Sequence, residues 1–220
     1  MIKKICGITD LDEAEMVASY FPEYMGFVFH RPSRRNVSLS QLAEISDTLR
    51  VCFGDGCPKF VGVFVNPTKI FIEKIAPFVD VFQFHGEESP EFCAEISEKF
   101  PNHKIWKALR IKELSDLEKI SEYSVKGNCD GILLDSFSEK AQGGTGTAIP
   151  KEFFPEISKK VALFKENFPE KILLMAGGIS LENFMIIYNK TGASGIDISS
   201  SLESKTGKKS GKKVSKIFCG

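Results

Sequence analysis

Short apolar runs recur along this chain, and each is followed by turn residues and then by a stretch with helical spacing of its apolar positions. Eight such units can be read in its 220 residues. The runs show little polar alternation, which suits strands covered on both faces, as in a parallel sheet. Parallel neighbours need a long crossover between them, and the helical stretches supply it. A doubly wound sheet usually has fewer units. The pattern therefore points to one compact (β/α)8 TIM barrel over residues 1–220, with no linker or internal domain boundary.

Strands are expected at Ile2–Cys6, Tyr24–Phe29, Phe60–Val65, Val79–Phe84, Lys104–Ala108, Gly131–Leu134, Ile172–Met175 and Gly195–Ile198. Helices are expected near Asp10–Tyr20, Ser40–Thr48, Pro67–Ala76, Ser89–Lys99, Glu113–Tyr123 and Lys151–Phe168. A further helix is expected to be capped by Ser180, and the last to lie in the basic tail. Asp10 with Glu13, and Ser38 with Gln41, have the spacing of capping boxes. Ser89 is placed to cap a helix that Pro90 opens.

Charge and cysteine content exclude several classes. The 29 basic and 29 acidic side chains cancel, so binding of nucleic acid through bulk positive charge is not expected. The lysines between Lys205 and Lys213 read as a solvated loop and helix end. No apolar run approaches the roughly 20 residues of a membrane span. Six scattered cysteines form no CxxC pair and no disulfide framework, and no histidine spacing completes a metal site. These features lead us to expect a cytoplasmic protein without cofactor or metal, acting on a small molecule as a monomer or homodimer.

Active sites of such barrels lie at the C-terminal strand ends. Read in order, those ends carry Cys6-Gly7, then His30 with Ser33-Arg34-Arg35, then Asn66, then His85-Gly86-Glu87-Glu88. Arg110, Asp135, Gly177-Gly178 and Asp197 with Ser199-Ser200-Ser201 follow. Cys6 and Asp135 are the chemically suggestive pair, because a thiolate can take a proton from carbon and a carboxylic acid can give one to oxygen. Read alone, Cys6 is equally a small core residue and Asp135 a cap or surface acid. Three segments could cradle a phosphate with backbone N–H groups: Gly143–Gly146, Gly177-Gly178 and Ser199–Ser201. Arg34 and Arg35 could grip a carboxylate in bidentate fashion or form a solvated basic turn. His85 fits a structural or a chemical role.

Taken together, these residues resemble the phosphoribosylanthranilate isomerase family of tryptophan biosynthesis. The resemblance is carried by Lys4–Thr9, Gly26–Phe29 with Ser33-Arg34-Arg35, Val61–Asn66 and Gln83–Glu88. It continues through Leu133–Ser136, Gly143–Gly146, Ala176–Ile179 and Asp197–Ser200 with Glu203. It implies a cofactor-free barrel that converts N-(5-phosphoribosyl)anthranilate to an aminodeoxyribulose phosphate by an Amadori rearrangement. It implies Cys6 as general base, Asp135 as general acid and Arg35 as the holder of the anthranilate carboxylate. His85, Gly144, Gly146, Gly177, Gly178, Asp197, Ser199 and Ser200 are then expected to bind substrate, several through its phosphate. The chain departs from the family pattern at Asn36, at Thr147–Pro150, at Ser201 and at Ser210. Two other readings compete. A sugar-phosphate barrel of the indole-glycerol-phosphate synthase type would need a strand-end lysine, for which Lys107 is the candidate. A non-catalytic barrel that binds a phosphorylated ligand would have no need of Cys6 and Asp135 together.

Overall fold

The computed structural model describes residues 1–136 and 149–218. Its strands are β1 (Ile2–Cys6), β2 (Tyr24–Phe29), β3 (Lys59–Phe64), β4 (Val81–Phe84), β5 (Lys104–Ile111), β6 (Gly131–Ser136), β7 (Ile172–Met175) and β8 (Gly195–Ile198). They form a closed barrel in chain order. Closure comes from parallel pairing of β1 with β8, with Ile2 opposite Gly195 and Ile5 opposite Ile198. The helices are α1 (Leu11–Ala18), α2 (Leu39–Phe53), α3 (Lys69–Ile75), α4 (Pro90–Lys99), α5 (Lys119–Val125), α6 (Phe154–Asn167), α7 (Phe184–Thr191) and α8 (Gly211–Phe218). An antiparallel hairpin, β9 (Glu203–Lys205) and β10 (Lys208–Lys209), lies between β8 and α8.

Successive residues of a strand point to opposite faces, so each strand here feeds two cores. The outward set packs under the helices and includes Ile5, Phe27, Phe60, Phe64, Phe82, Ile132 and Leu173. Several are phenylalanines in ring contact, such as Phe29 on Phe64 at 5.4 Å and Phe84 on Phe92 at 5.3 Å. Burying each such side chain contributes about 1.5–3 kcal/mol. The inward set fills the barrel with Val61, Val63, Val81, Trp106, Ala108, Leu133 and Leu174. Trp106 fits because β6 begins with glycine: a Cβ at Gly131 would stand 2.6 Å from the indole ring.

Local signals explain most of the boundaries. Ser38 and Gln41 form the full capping box at the start of α2, and Ser89 and Thr68 cap α4 and α3. Three expectations are corrected. Asp10 caps α1 through Glu13 N–H, but the Glu13 carboxylate accepts from Thr9 and Lys209 instead of closing a box. The Asn183 backbone, not Ser180, opens α7, because Ser180 starts a separate turn that binds Glu182 and Asn183. The tail is not a plain solvated loop: it folds into β9–β10, and the Lys209 ammonium has no solvent exposure.

Candidate active site

The strand parity that builds the inner core continues upward to the C-terminal rim. Cys6 follows Ile2 and Lys4 on the inner face of β1, and Asp135 follows Leu133 on β6. Both line an open cleft, together with His30, Arg35, His85, Arg110, Gly177, Gly178, Asp197, Ser199 and Ser200. Of the expected site residues, the Gly143–Gly146 loop lies outside the described residues; Cys6, Arg35, His85, Asp135, Gly177, Gly178, Asp197, Ser199 and Ser200 border this cleft, whereas Arg34 and Ser201 do not line it.

Asp135 is held by His85, whose Nε2 lies 2.8 Å from Oδ2. The His85 carbonyl accepts from Arg110, and Gln83 approaches the other ring nitrogen at 3.5 Å. With the Gln83 amide donating to Nδ1, the Nε2 proton is directed at Asp135. Gly177 closes in from the next strand end with a positive φ of 71°, and a Cβ there would collide with Ser136 and the Asp135 carboxylate. Only glycine fits that position, for both reasons.

Cys6 is buried, and its carbonyl accepts from Ser199 Oγ at 2.9 Å. A side chain at Gly26 would stand 2.6 Å from the thiol, so the glycine opposite makes room for it. Burial pushes the thiol above its ordinary pKa, while the Lys4 ammonium beneath it pulls in the other direction. Lys4 is itself fully buried and donates to Asp197 Oδ2 at 2.7 Å. The other oxygen, Oδ1, is buried without a hydrogen-bond partner, as is Gln83 Oε1.

Arg35 lies across Gly7 and is clamped by Glu203, with Nε donating at 2.6 Å and Nη2 at 3.1 Å. The same carboxylate accepts from Lys209 Nζ at 3.1 Å and from Gly207 N–H at 3.0 Å. Burial pushes Glu203 upward, but its hydrogen bond to Arg35 and the Lys209 charge outweigh that and hold it below the usual carboxylate range. A guanidinium has five donors, so Arg35 keeps three beyond those given to Glu203. Ser201 departs from the family pattern without cost to the loop, because its hydroxyl donates to the Ile179 carbonyl at 2.6 Å.

Lys107 points away from the cleft. Its ammonium pairs with Glu88 at 2.8 Å and donates to the Gly86 carbonyl at 2.6 Å, both in the layer between barrel and helices. It cannot serve as the strand-end lysine of an indole-glycerol-phosphate synthase site. Among the described residues no group of three or more His, Cys, Asp or Glu is placed to hold a metal ion, and no helix is long and apolar enough to cross a membrane.

The comparisons with known proteins agree on one family. The family model for N-(5′-phosphoribosyl)anthranilate (PRA) isomerase matches residues 3–219. The N-(5′-phosphoribosyl)anthranilate isomerase of Sulfurihydrogenibium sp. (strain YO3AOP1) is 33% identical, over 99% of this chain and 97% of that protein. The chain belongs to the N-(5′-phosphoribosyl)anthranilate isomerase family. It is an aldose–ketose isomerase, and the non-catalytic reading falls away. A solved phosphoribosyl anthranilate isomerase from Thermotoga maritima superposes with a TM-score of 0.80 at 28% identity, covering 100% of this chain and 97% of that one. A solved phosphoribosyl anthranilate isomerase in complex with reduced 1-(o-carboxyphenylamino)-1-deoxyribulose 5-phosphate has a TM-score of 0.77 at 28% identity and covers 99% and 96% of the two chains.

Lys4, Gly26 and Glu203, which all stood in the motifs without a role, contact residues of the cleft: Asp197, Cys6 and Arg35 in turn. Parity held the signal for Lys4: if Cys6 faces inward, the residue two before it does too. Glu203 appeared in the motif set, but only the hairpin reveals what it holds.

Proposed function

We propose that Cys6 and Asp135 are the base and acid with which this chain isomerises N-(5′-phosphoribosyl)anthranilate to 1-(2-carboxyphenylamino)-1-deoxyribulose 5-phosphate, an Amadori step of tryptophan biosynthesis. The observation that carries this is a thiol from β1 and a carboxyl from β6 brought to one cleft, with glycine and serine loops after β7 and β8 beside them. Asp135, oriented by His85, gives its proton to the furanose ring oxygen, and the C1–O bond breaks to leave an open-chain iminium. The Cys6 thiolate then removes the proton on the second sugar carbon. The electron pair of that bond neutralises the iminium, and the resulting enolamine rearranges to the ketone. Each positioned proton transfer contributes typically 10²–10⁴-fold.

Arg35 holds the anthranilate carboxylate with the donors that Glu203 leaves free. Gly177 and Gly178, both at positive φ, and Ser199 and Ser200 offer the phosphate their N–H groups. Barrels commonly bind phosphate after strands seven and eight. Gly144 and Gly146 are assigned to the same phosphate on their motif alone. Asp197 is assigned to substrate binding on its place in the cleft lining. We place this chemistry in the cytoplasm, on the balanced charge and scattered thiols of the sequence.

The test is the decay of substrate anthranilate fluorescence with purified protein. Wild type should turn over phosphoribosylanthranilate, while Cys6→Ser and Asp135→Asn should fall by at least about 10²-fold and still bind the reduced product. Near-full turnover by Cys6→Ser would remove Cys6 from the chemistry.

A further inference from the structure

A charged pair sits inside the barrel, directly below the cleft. Lys4 Nζ donates to Asp197 Oδ2 at 2.7 Å, and the lysine side chain has no solvent exposure. A barrel interior is ordinarily filled by apolar side chains, and replacing a buried pair with apolar residues is often neutral or stabilising. Stability alone therefore gives no reason for this pair. Its position does. Lys4 and Cys6 stand two residues apart on the inner face of β1, both buried, so the ammonium and the thiol share the barrel interior.

We propose that Lys4 is a positioning residue for the reaction: its ammonium, anchored by Asp197, donates toward Cys6 and stabilises the thiolate that takes the carbon-bound proton. This inference rests on Cys6 being the base. Asp197 has two opposed effects. It fixes the ammonium under the sulfur, and its own negative charge disfavours the thiolate. Three charged groups act on Cys6 from the elements around it: Lys4 on β1, Asp197 on β8 and Lys209 on β10. Lys209 is committed to Glu203 and the Gly7 carbonyl. Burial raises the thiol's pKa, and the Lys4 charge is the largest effect opposing it, ahead of Lys209. An opposite charge within about 4–6 Å shifts a titration by about 1–3 units.

The experiment measures the pH midpoint of iodoacetamide alkylation on the full chain. The Cys6 peptide is followed by mass spectrometry, because Cys52 and Cys57 are more accessible and will also react. Lys4→Met keeps the volume and removes the charge, so its Cys6 midpoint should rise by about one unit or more, or about tenfold less thiolate below the midpoint. Asp197→Asn removes the opposing charge and should lower the midpoint. The acid limb of kcat/KM should move in step. A purely structural pair would not send the two variants in opposite directions. A folded Lys4→Met with an unchanged or lowered midpoint overturns the proposal. If Lys4→Met does not fold, Lys4→Gln, which keeps a donor to Asp197 but no charge, decides, and an unchanged or lowered midpoint there overturns it. An active Cys6→Ser alongside shifted midpoints would instead refute Cys6 as the base and with it the catalytic use of the pair.

Discussion

Glu203→Gln is expected to cost both stability and substrate affinity, through one carboxylate. In the wild type that carboxylate accepts two bonds from Arg35, one from Lys209 and one from the Gly207 N–H. Lys209 Nζ is fully buried, and its remaining contact is the Gly7 carbonyl at 3.3 Å. Removing one partner of a buried pair costs about 3–5 kcal/mol, because the other charge stays behind uncompensated. Glutamine retains one acceptor oxygen, so the low end, about 3 kcal/mol, applies here. For a chain of this size that corresponds to a loss of about 6–12 °C in Tm. The direction with pH follows from the lowered carboxyl of Glu203. A group whose folded pKa is depressed stabilises above its unfolded value, about 4.3, and that contribution disappears as pH falls through the folded value. The gap between wild type and variant should therefore be full at pH 7 and close in acid. Thermal melts by circular dichroism at pH 7 and at successive pH values below about 4.3 measure it. Glu203→Gln with Lys209→Met should recover most of the lost Tm, since the stranded ammonium is gone. A drop of under about 2 °C at pH 7 would refute the account of a carboxylate that neutralises a buried lysine.

Four further outcomes are expected. Arg35→Ala should raise KM by roughly 10- to 150-fold, from about 1.5–3 kcal/mol for a charged hydrogen-bonded contact, with kcat little changed; unchanged KM would place the substrate carboxylate elsewhere. Gly177→Ala should fold less stably and lose most of its kcat, because its Cβ would collide with the Asp135 carboxylate; steady-state rates on the folded fraction decide this. Lys107→Met should lower Tm by stranding buried Glu88 while the folded enzyme keeps its kcat, and a selective loss of kcat would reinstate Lys107 in the chemistry. Because burial pushes Cys6 above the ordinary thiol value and the thiolate is the active form, kcat/KM should still be climbing between pH 7 and 8; a flat profile there would exclude a titrating Cys6.

The barrel was legible because its strands announce themselves in apolar runs, and β1, β2, β7 and β8 begin and end where the runs do. Where polar residues enter a strand the reading stopped short. β5 continues through Arg110 to Ile111 and β6 through Asp135 to Ser136, because inward-facing polar groups at the rim remain paired in the sheet. The cleft residues were legible by type and place, since thiol, carboxylate, arginine and glycine each stood at a strand end. Their couplings were not. His85 meets Asp135 across the barrel, Arg35 meets Glu203 from far along the chain, and Lys4 on the first strand meets Asp197 on the last. Such contacts depend on long-range closure, and no local pattern encodes them.

The pairing of β1 with β8 has a consequence for synthesis. Cys6 is made well before what surrounds it: Asp197 beneath, Ser199 on its carbonyl, and Lys209 on the carbonyl of Gly7. A nascent chain halted before Gly195 would carry seven strands and two open edges, the condition in which sheets pair with the wrong neighbour. The surroundings of Cys6 are therefore complete only once β8 and the β9–β10 hairpin have been made, and the sealing of this one seam removes both open edges together.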